Sequence, residues 1–506
     1  MISFVVALVL LVLGYVVYGK IVEKIFGPDD RPTPAVAKAD GVDYIVMPSW
    51  KVFMIQFLNI AGTGPIFGAI MGAKFGPVAY LWIVFGCIFA GAVHDYLSGM
   101  LSIRHGGANL PDMVGTYLGK VTKQVMLVFC VLLLMMVGVV FVFSPAKILG
   151  GIWEPAFFVE QFGSYFFWIA VIFIYYIIAT LLPIDKIIGK IYPLFAISLI
   201  FMALALMVVM FVKWPQIPEL WQEFGNMGAE HFGAKSLIFP GLFITIACGA
   251  ISGFHATQSP LMARCVKHEK QGRPIFYGAM ITEGIVALIW ASVAMYFFYQ
   301  EPTPGYELVA GGKDALSDAP SVVNIMCKDW LGVAGGILAM LGVVAAPITS
   351  GDTAFRSARL IIADFLHFEQ HSIRRRLSVC VPMFALAIAL LVWQMSDIEG
   401  FNRIWNWFGW SNQTLSVFTL WTLTVYLVQN KKNYWITLIP ALFMTTVCIT
   451  FLFVSPQAFN LPVTISYAVG GVALAIAIIW FGVWKMRKAP SNLPPDGEVL
   501  SLIEND

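Results

Sequence analysis

A histidine–aspartate pair, His94-Asp95, a lone histidine, His255, and a lone carboxylate, Glu283, stand inside stretches that are otherwise apolar. A charge near the centre of a bilayer costs at least about 2.5–3.5 kcal/mol on insertion scales, so each of them needs a chemical reason. Imidazole titrates near neutral pH and exchanges protons readily with carboxylates, which makes the four candidates for a proton relay. His255 is also a candidate for substrate contact. Plainer roles stay open. His94 and Asp95 could reach the interface or tie down the Arg104-His105-Gly-Gly loop, and Glu283 could be buried neutral or paired with another helix. Asp352 and Arg356, at i and i+4, are spaced to pair locally.

Three apolar stretches are interrupted by Gly and Pro: Asn59-Ile-Ala-Gly-Thr-Gly-Pro65, Gly249-Ala-Ile-Ser-Gly-Phe-His-Ala-Thr-Gln-Ser-Pro260 and Ala345-Ala-Pro-Ile-Thr-Ser-Gly-Asp352. Gly and Pro weaken a helix and free backbone hydrogen-bonding groups. In lipid such backbone survives only where it lines a protein-enclosed cavity. Close helix packing also uses Gly and is the plainer account of any one of them. The first two breaks supply hydroxyl, amide and imidazole groups but no carboxylate. Their candidate substrate-binding residues are Asn59, Gly62, Thr63 and Gly64, then Ser252, Gly253, His255 and Gln258. Half-helix N-termini near Gly62–Gly64 and Ser252-Gly253 suit a small carboxylate. A short peptide would need a longer cavity and an acidic partner for its amino group.

The elements that must position these residues follow from composition. Of 506 residues, 59% are hydrophobic and 12% charged, against about 25% charged in soluble domains. That charge cannot cover a soluble surface, so the chain is an all-α integral membrane protein. A net charge of +2 excludes a nucleic-acid binder. Seven cysteines without a CxxC or Cys/His cluster read as reduced thiols. Runs of roughly 20 apolar residues predict thirteen spans: 2–19, 52–72, 76–98, 121–143, 164–182, 189–212, 236–259, 276–299, 331–350, 377–395, 404–428, 435–454 and 463–484. The first lacks a basic leader and a small-residue cleavage site, so it reads as a helix rather than a signal peptide. With the N-terminus outside, 24 of the 31 basic residues fall on the cytoplasmic side, as the positive-inside rule requires. The loop 300–330 is then outside and acidic, and the tail 485–506 is cytoplasmic and disordered in character.

The first two breaks lie in spans two and seven, which cross in opposite directions. That is the pattern of an inverted five-plus-five repeat with broken first helices meeting at mid-membrane. The predicted organisation is an N-terminal helix and loop (1–51), repeat one (52–212), repeat two (236–428), two further helices (429–484) and the tail. No GxGxxG, P-loop, HExxH or GxSxG motif is present, so neither an enzyme nor an ATP-driven pump is expected. The Trp405–Trp410 stretch reads as an aromatic belt, with Asn412 and Gln413 placed to gate a cavity.

Ala346-x-x-Thr349-Ser350 resembles the sodium-site pattern of LeuT-fold transporters. That resemblance implies a cation held by Ala346, Thr349 and Ser350 with carbonyls from about Ile60 to Thr63. The alternative is that Thr349 and Ser350 cap a following short helix after a kink at Pro347. Longer segments resemble the carbon starvation protein A (CstA) family: Val46-Met-Pro-Ser-Trp-Lys51, the stretch Gln56–Gly72, Phe89-Ala-Gly-Ala-Val-His-Asp-Tyr96, Arg104-His-Gly-Gly-Ala108, Ser252–Pro260 and Thr349–Leu360. The resemblance runs from about residue 1 to 485. It implies a multi-pass inner-membrane transporter of the amino acid–polyamine–cation superfamily, with a LeuT-like core, that imports peptides or pyruvate under carbon limitation. No cofactor is expected, and the coupling ion is a proton or sodium. A non-transporting nutrient sensor, a channel and another organic-acid or amino-acid symporter are the rival readings.

Overall fold

The computed structural model describes residues 1–487 except 42, 182–183, 233–236, 301–318, 367, 369–372 and 396–399. Most of the predicted acidic loop and nearly all of the predicted tail lie outside the described residues. Among those described there is no strand. Among the described residues, each predicted span is mostly helix, with breaks at 61–63 and 246–252. The helices used below are α1 (Ile2–Phe26), α2 (Ser49–Ile60), α3 (Gly64–Phe75), α4 (Val78–Arg104), α5 (Lys120–Gly150), α6 (Phe166–Leu181), α7 (Ile184–Lys213), α8 (238–245), α9 (Gly253–Ala263), α10 (Glu269–Tyr299), α11 (Ala319–Phe365), α12 (Ile373–Met395), α13 (Gly400–Gln429), α14 (Trp435–Val454) and α15 (Val463–Arg487).

Eight helices among the described residues are long and apolar enough to cross a membrane, and ten spans result when each of two bent pairs counts as one. The predicted thirteen therefore exceeds what length and apolarity alone support. The other three predicted spans have specific reasons to differ. Residues 236–259 are divided between α8 and α9 by the non-helical stretch 246–252. Residues 331–350 sit within the longer α11, which contains a break at Gly332 and continues to Phe365. Residues 404–428 lie in α13, diluted by Asn, Gln, Ser and Thr.

The breaks sit at the centre of the bundle. α2 and α3 meet at 53° across residues 61–63. α10 packs along both halves, and α11 packs against α5 and α7. Helices α13, α14 and α15 pack successively to one side. The backbone groups freed by the breaks find side-chain partners, as a lipid-enclosed chain requires. The Trp82 indole N–H donates to the Ile246 carbonyl across 2.8 Å. The Gln413 amide donates to the Phe243 carbonyl at 2.8 Å, and the Ser350 hydroxyl donates to the Leu58 carbonyl at 3.0 Å.

One end of the bundle is tied by charge. Arg104 at the end of α4 donates to both oxygens of Glu269, at 3.1 and 3.2 Å, to the Gly27 carbonyl at 2.8 Å and to the Tyr426 hydroxyl at 3.2 Å. Its guanidinium lies 4.1 Å from the Phe26 ring centroid. Beside it Arg31 donates to both oxygens of Asp29, at 2.8 and 2.7 Å. Those hydrogen bonds hold the Asp29 carboxyl down at about 2.

Candidate functional site at the helix breaks

All four predicted proton-relay residues come together. Asp95 on α4 accepts from His94 Nδ1 at 2.8 Å through Oδ1 and from His255 Nδ1 at 2.8 Å through Oδ2. His255 Nε2 lies 3.4 Å from Glu283 Oε2 on α10. All four residues are fully buried. An ionised carboxylate only accepts, so both Nδ1 atoms carry hydrogen, and each neutral ring then presents a bare Nε2 lone pair. Between His255 Nε2 and Glu283 a single proton completes the contact from either side. Without it, both groups lack a hydrogen-bond partner. The interface role considered for His94-Asp95 does not apply. The nearby loop is held instead by Arg104 and by His105, which contacts the Leu101 carbonyl and the Tyr117 hydroxyl.

Close approach brings the two breaks together. A Cβ on Gly64 would sit 2.3 Å from Cys248 Sγ, so only glycine lets α3 reach the seventh-span break. Gly249 adopts φ +93 beside Ala287 of α10, a left-handed backbone that glycine tolerates. Gln56 and Asn59 stand at i and i+3 on α2 and share one face, and Thr63 lies in the break that follows. All three are fully buried, and every polar side-chain atom they carry lacks a partner. Gln258 on α9 donates to Thr257 at 2.9 Å and leaves its Oε1 unpaired. Buried polar groups are nearly always paired, so a concentration of unpaired ones marks a place for a ligand. Gln56 was not among the sequence candidates. Its i, i+3 spacing from Asn59 was the available signal.

The N-terminus of α9 is already capped. Asn412 Oδ1 accepts from the Phe254 N–H at 2.7 Å and from the Ser252 hydroxyl at 3.1 Å. Ser252 and Gly253 thus pack on α13 rather than standing open as a carboxylate cradle, and Asn412 bridges two helices. Thr349 donates within its own helix to the Ala345 and Ala346 carbonyls, at 3.1 and 2.8 Å. Ser350 reaches Leu58, two residues before the predicted Ile60. Neither hydroxyl caps a new helix, because α11 runs on past both. Asp352 and Arg356 do not pair as their spacing suggested. Asp352 accepts from the Tyr192 hydroxyl at 2.6 Å, and Arg356 donates to the Ala179 carbonyl at 2.7 Å, because their faces of α11 pack on different helices. A wide apolar groove of about 760 Å³, walled by Tyr117, Trp410, Trp421, Ile476 and Trp480 among others, holds none of these groups. Ile476 and Trp480 are exposed, which suits contact with lipid chains.

Comparison with known proteins settles the family. The family described as carbon starvation protein CstA matches residues 1–150, 142–303 and 309–451. The chain belongs to the CstA family. Several relatives carry functional names. The pyruvate/proton symporter BtsT of Escherichia coli is 25% identical, over 83% of this chain and 76% of its own length. The peptide transporter CstA of Bacillus subtilis is 27% identical, over 86% and 87%. An uncharacterized membrane protein of Haemophilus influenzae is 47% identical, over 60% of this chain and 93% of its own. Among solved structures, MhsT in complex with L-phenylalanine superposes with a TM-score of 0.55 at 14% identity, covering 85% of this chain and 97% of MhsT. An Eremococcus coleocola manganese transporter gives 0.53 at 12% identity, covering 89% and 99%. At such identities the likeness shows the fold alone, and that fold is the LeuT-like helical core. CstA-family members are membrane transporters, not enzymes, and this chain is a multi-pass membrane protein of that kind.

Proposed function

We propose that the chain is a proton-coupled symporter that imports a small organic solute across the inner membrane by alternating access. The observation that carries this reading is the placement of the unpaired Gln56, Asn59 and Thr63 at the break between α2 and α3, whose far side touches the seventh-span break just before His255 on α9. Substrate sits against those three side chains. A proton is held between His255 and Glu283, with Asp95 fixing the imidazole and His94 extending the chain. Cys248 and Cys87 are the other titratable groups near Glu283. Loading both ligands removes the unpaired groups from the centre and favours the closed bundle, which couples one binding event to the other.

A small carboxylate such as pyruvate suits the donors on offer: Gln56 Nε2, Asn59 Nδ2 and the Thr63 hydroxyl. A short peptide is the second reading, favoured by the unpaired oxygens of Gln56, Asn59 and Gln258, which would accept peptide N–H groups. Sodium is the weaker choice of coupling ion, because the Ser350 hydroxyl and the Leu58 carbonyl are bonded to one another. The orientation with the N-terminus outside and the five-plus-five repeat belong to the same reading. Thr63→Ala and His255→Ala should each cut uptake at least tenfold in membrane-inserted protein. Wild-type rates in both would overturn the site. Replacing sodium by choline at fixed pH should leave uptake unchanged, and a loss would overturn the proton assignment.

A further inference from the structure

The proposed transport chemistry gives no role to the Cys248 thiol, nor to the shape its surroundings take. Cys248 Sγ, a ring nitrogen of His255 and a carboxylate oxygen of Glu283 all lie within 4.8 Å of one another. The three residues are buried, at 3%, 0% and 0% exposure. The His255 Nε2 and both Glu283 oxygens have no hydrogen-bond partner. The other nitrogen of the same ring is held by Asp95 at 2.8 Å. A carboxylate on the far nitrogen is the arrangement that orients a metal-bound imidazole and raises its basicity. The thiol is itself placed: it lies 3.6 Å from the Ser252 hydroxyl, and the Asn412 amide is aimed at it from 3.9 Å.

We propose that Cys248, His255 and Glu283 form a binding site for a borderline-soft divalent cation of the Zn²⁺ type. One thiolate, one imidazole and one carboxylate suit that class, whereas Mg²⁺ and Ca²⁺ take oxygen alone. Tetrahedral zinc bonds of about 2.0–2.3 Å place donors roughly 3.5 Å apart, a spacing His255 Nε2 and Glu283 Oε2 already have at 3.4 Å, so chiefly the Cys248 thiol moves in, by roughly an ångström, when the ion enters. The fourth position is left to water. Binding takes the His255 Nε2 lone pair and releases the Cys248 thiol proton. This inference extends the proposed function. The ion and the coupling proton use the same nitrogen, so the metal blocks coupling rather than serving it. The site is enclosed, and the ion enters when the breaks open.

The test uses purified full-length protein and Co²⁺ alone as a spectroscopic probe, so that it reads binding without transport. One Co²⁺ per chain is expected, with visible bands of a tetrahedral ion and a thiolate-to-cobalt charge-transfer band. Stoichiometric Zn²⁺ should bleach both, and excess Mg²⁺ should not. Cys248→Ser should remove the charge-transfer band, and Glu283→Gln should weaken affinity at least tenfold. Absence of a charge-transfer band in the wild type, or an unchanged one in Cys248→Ser, overturns the site. Should Cys248→Ser not fold, Asp95→Asn decides through the His255 ring: a cobalt affinity equal to wild type overturns the assignment. Failure of proton-driven uptake would leave these spectra unaltered, so the two readings fail separately.

Discussion

His255 Nδ1 and Asp95 Oδ2 are 2.8 Å apart although 160 residues separate them in sequence. The bond joins the first turn of α9, just past the break in the seventh span, to α4 and fixes which nitrogen of His255 faces Glu283. Asp95→Asn keeps the size and offers one acceptor for two imidazole N–H groups. One ring must then turn or change tautomer. Uptake should fall at least tenfold, and its pH profile should move, while the amount of protein in the membrane stays level. Uptake measured across pH in vesicles checks this. An unshifted profile at wild-type rate would contradict it.

Gly64 is the point where the two breaks touch. In Gly64→Ala the new methyl would lie 2.3 Å from Cys248 Sγ and 2.4 Å from its Cβ, so one break must move away. Uptake should be lost. Cys248→Gly on the same chain opens that space, because the nearest remaining backbone atom is 3.8 Å away. The double variant should recover a substantial part of uptake relative to Gly64→Ala alone, and labelled-substrate uptake in the two strains measures it.

The Ser350 hydroxyl is the described tie between α11 and the end of α2. Ser350→Ala removes the donor and leaves the Leu58 carbonyl unpaired in an enclosed site. A loss of about 1–3 kcal/mol in unfolding stability is expected, the cost of an unsatisfied buried group. Ser350→Thr retains the hydroxyl and should restore most of it. Thermal unfolding in detergent compares the three.

Asp29 gives a pH dependence with a definite sign. Its folded value is depressed to about 2 from 3.8 by Arg31. The stabilisation it supplies is therefore full above 3.8, falls as pH drops, and is gone below about 2. Because Asp29 is 47% exposed, the effect is screened to under about 1 kcal/mol. The melting difference between wild type and Asp29→Asn should be small and constant from neutral pH to about 4, then close as the solution is acidified further.

The limits of sequence reading show in particular residues. His94, Asp95, His255 and Glu283 were legible one at a time, because ionisable groups are conspicuous in apolar runs. Their meeting was not, since nothing local encodes a contact across 160 positions. The Gly/Pro breaks at 61–63 and 246–252 announced themselves, whereas the third predicted break, Ala345–Asp352, is continuous helix within α11, which carries Pro347 without interruption. Gln56 lies outside the Gly/Pro break that marks its neighbours in the sequence, and only its burial with both amide atoms unpaired gives it meaning. Asp352 and Arg356 were misjudged because i, i+4 spacing describes an isolated helix. On α11 the neighbours Tyr192 and Ala179 take precedence. Polar α13 and divided α8 and α9 fall short of the length and apolarity expected of a crossing helix, which is why ten rather than thirteen spans meet that measure among the described residues.

The central claim is that substrate and proton enter together through His255 and Glu283. Proteoliposomes carrying a pH-sensitive dye inside, given pyruvate or a dipeptide outside with no imposed gradient, test it most directly. The account predicts that one of these substrates acidifies the lumen in the wild type and that the signal is lost in Glu283→Gln. Substrate entry without acidification, or an undiminished proton signal in Glu283→Gln, would contradict it.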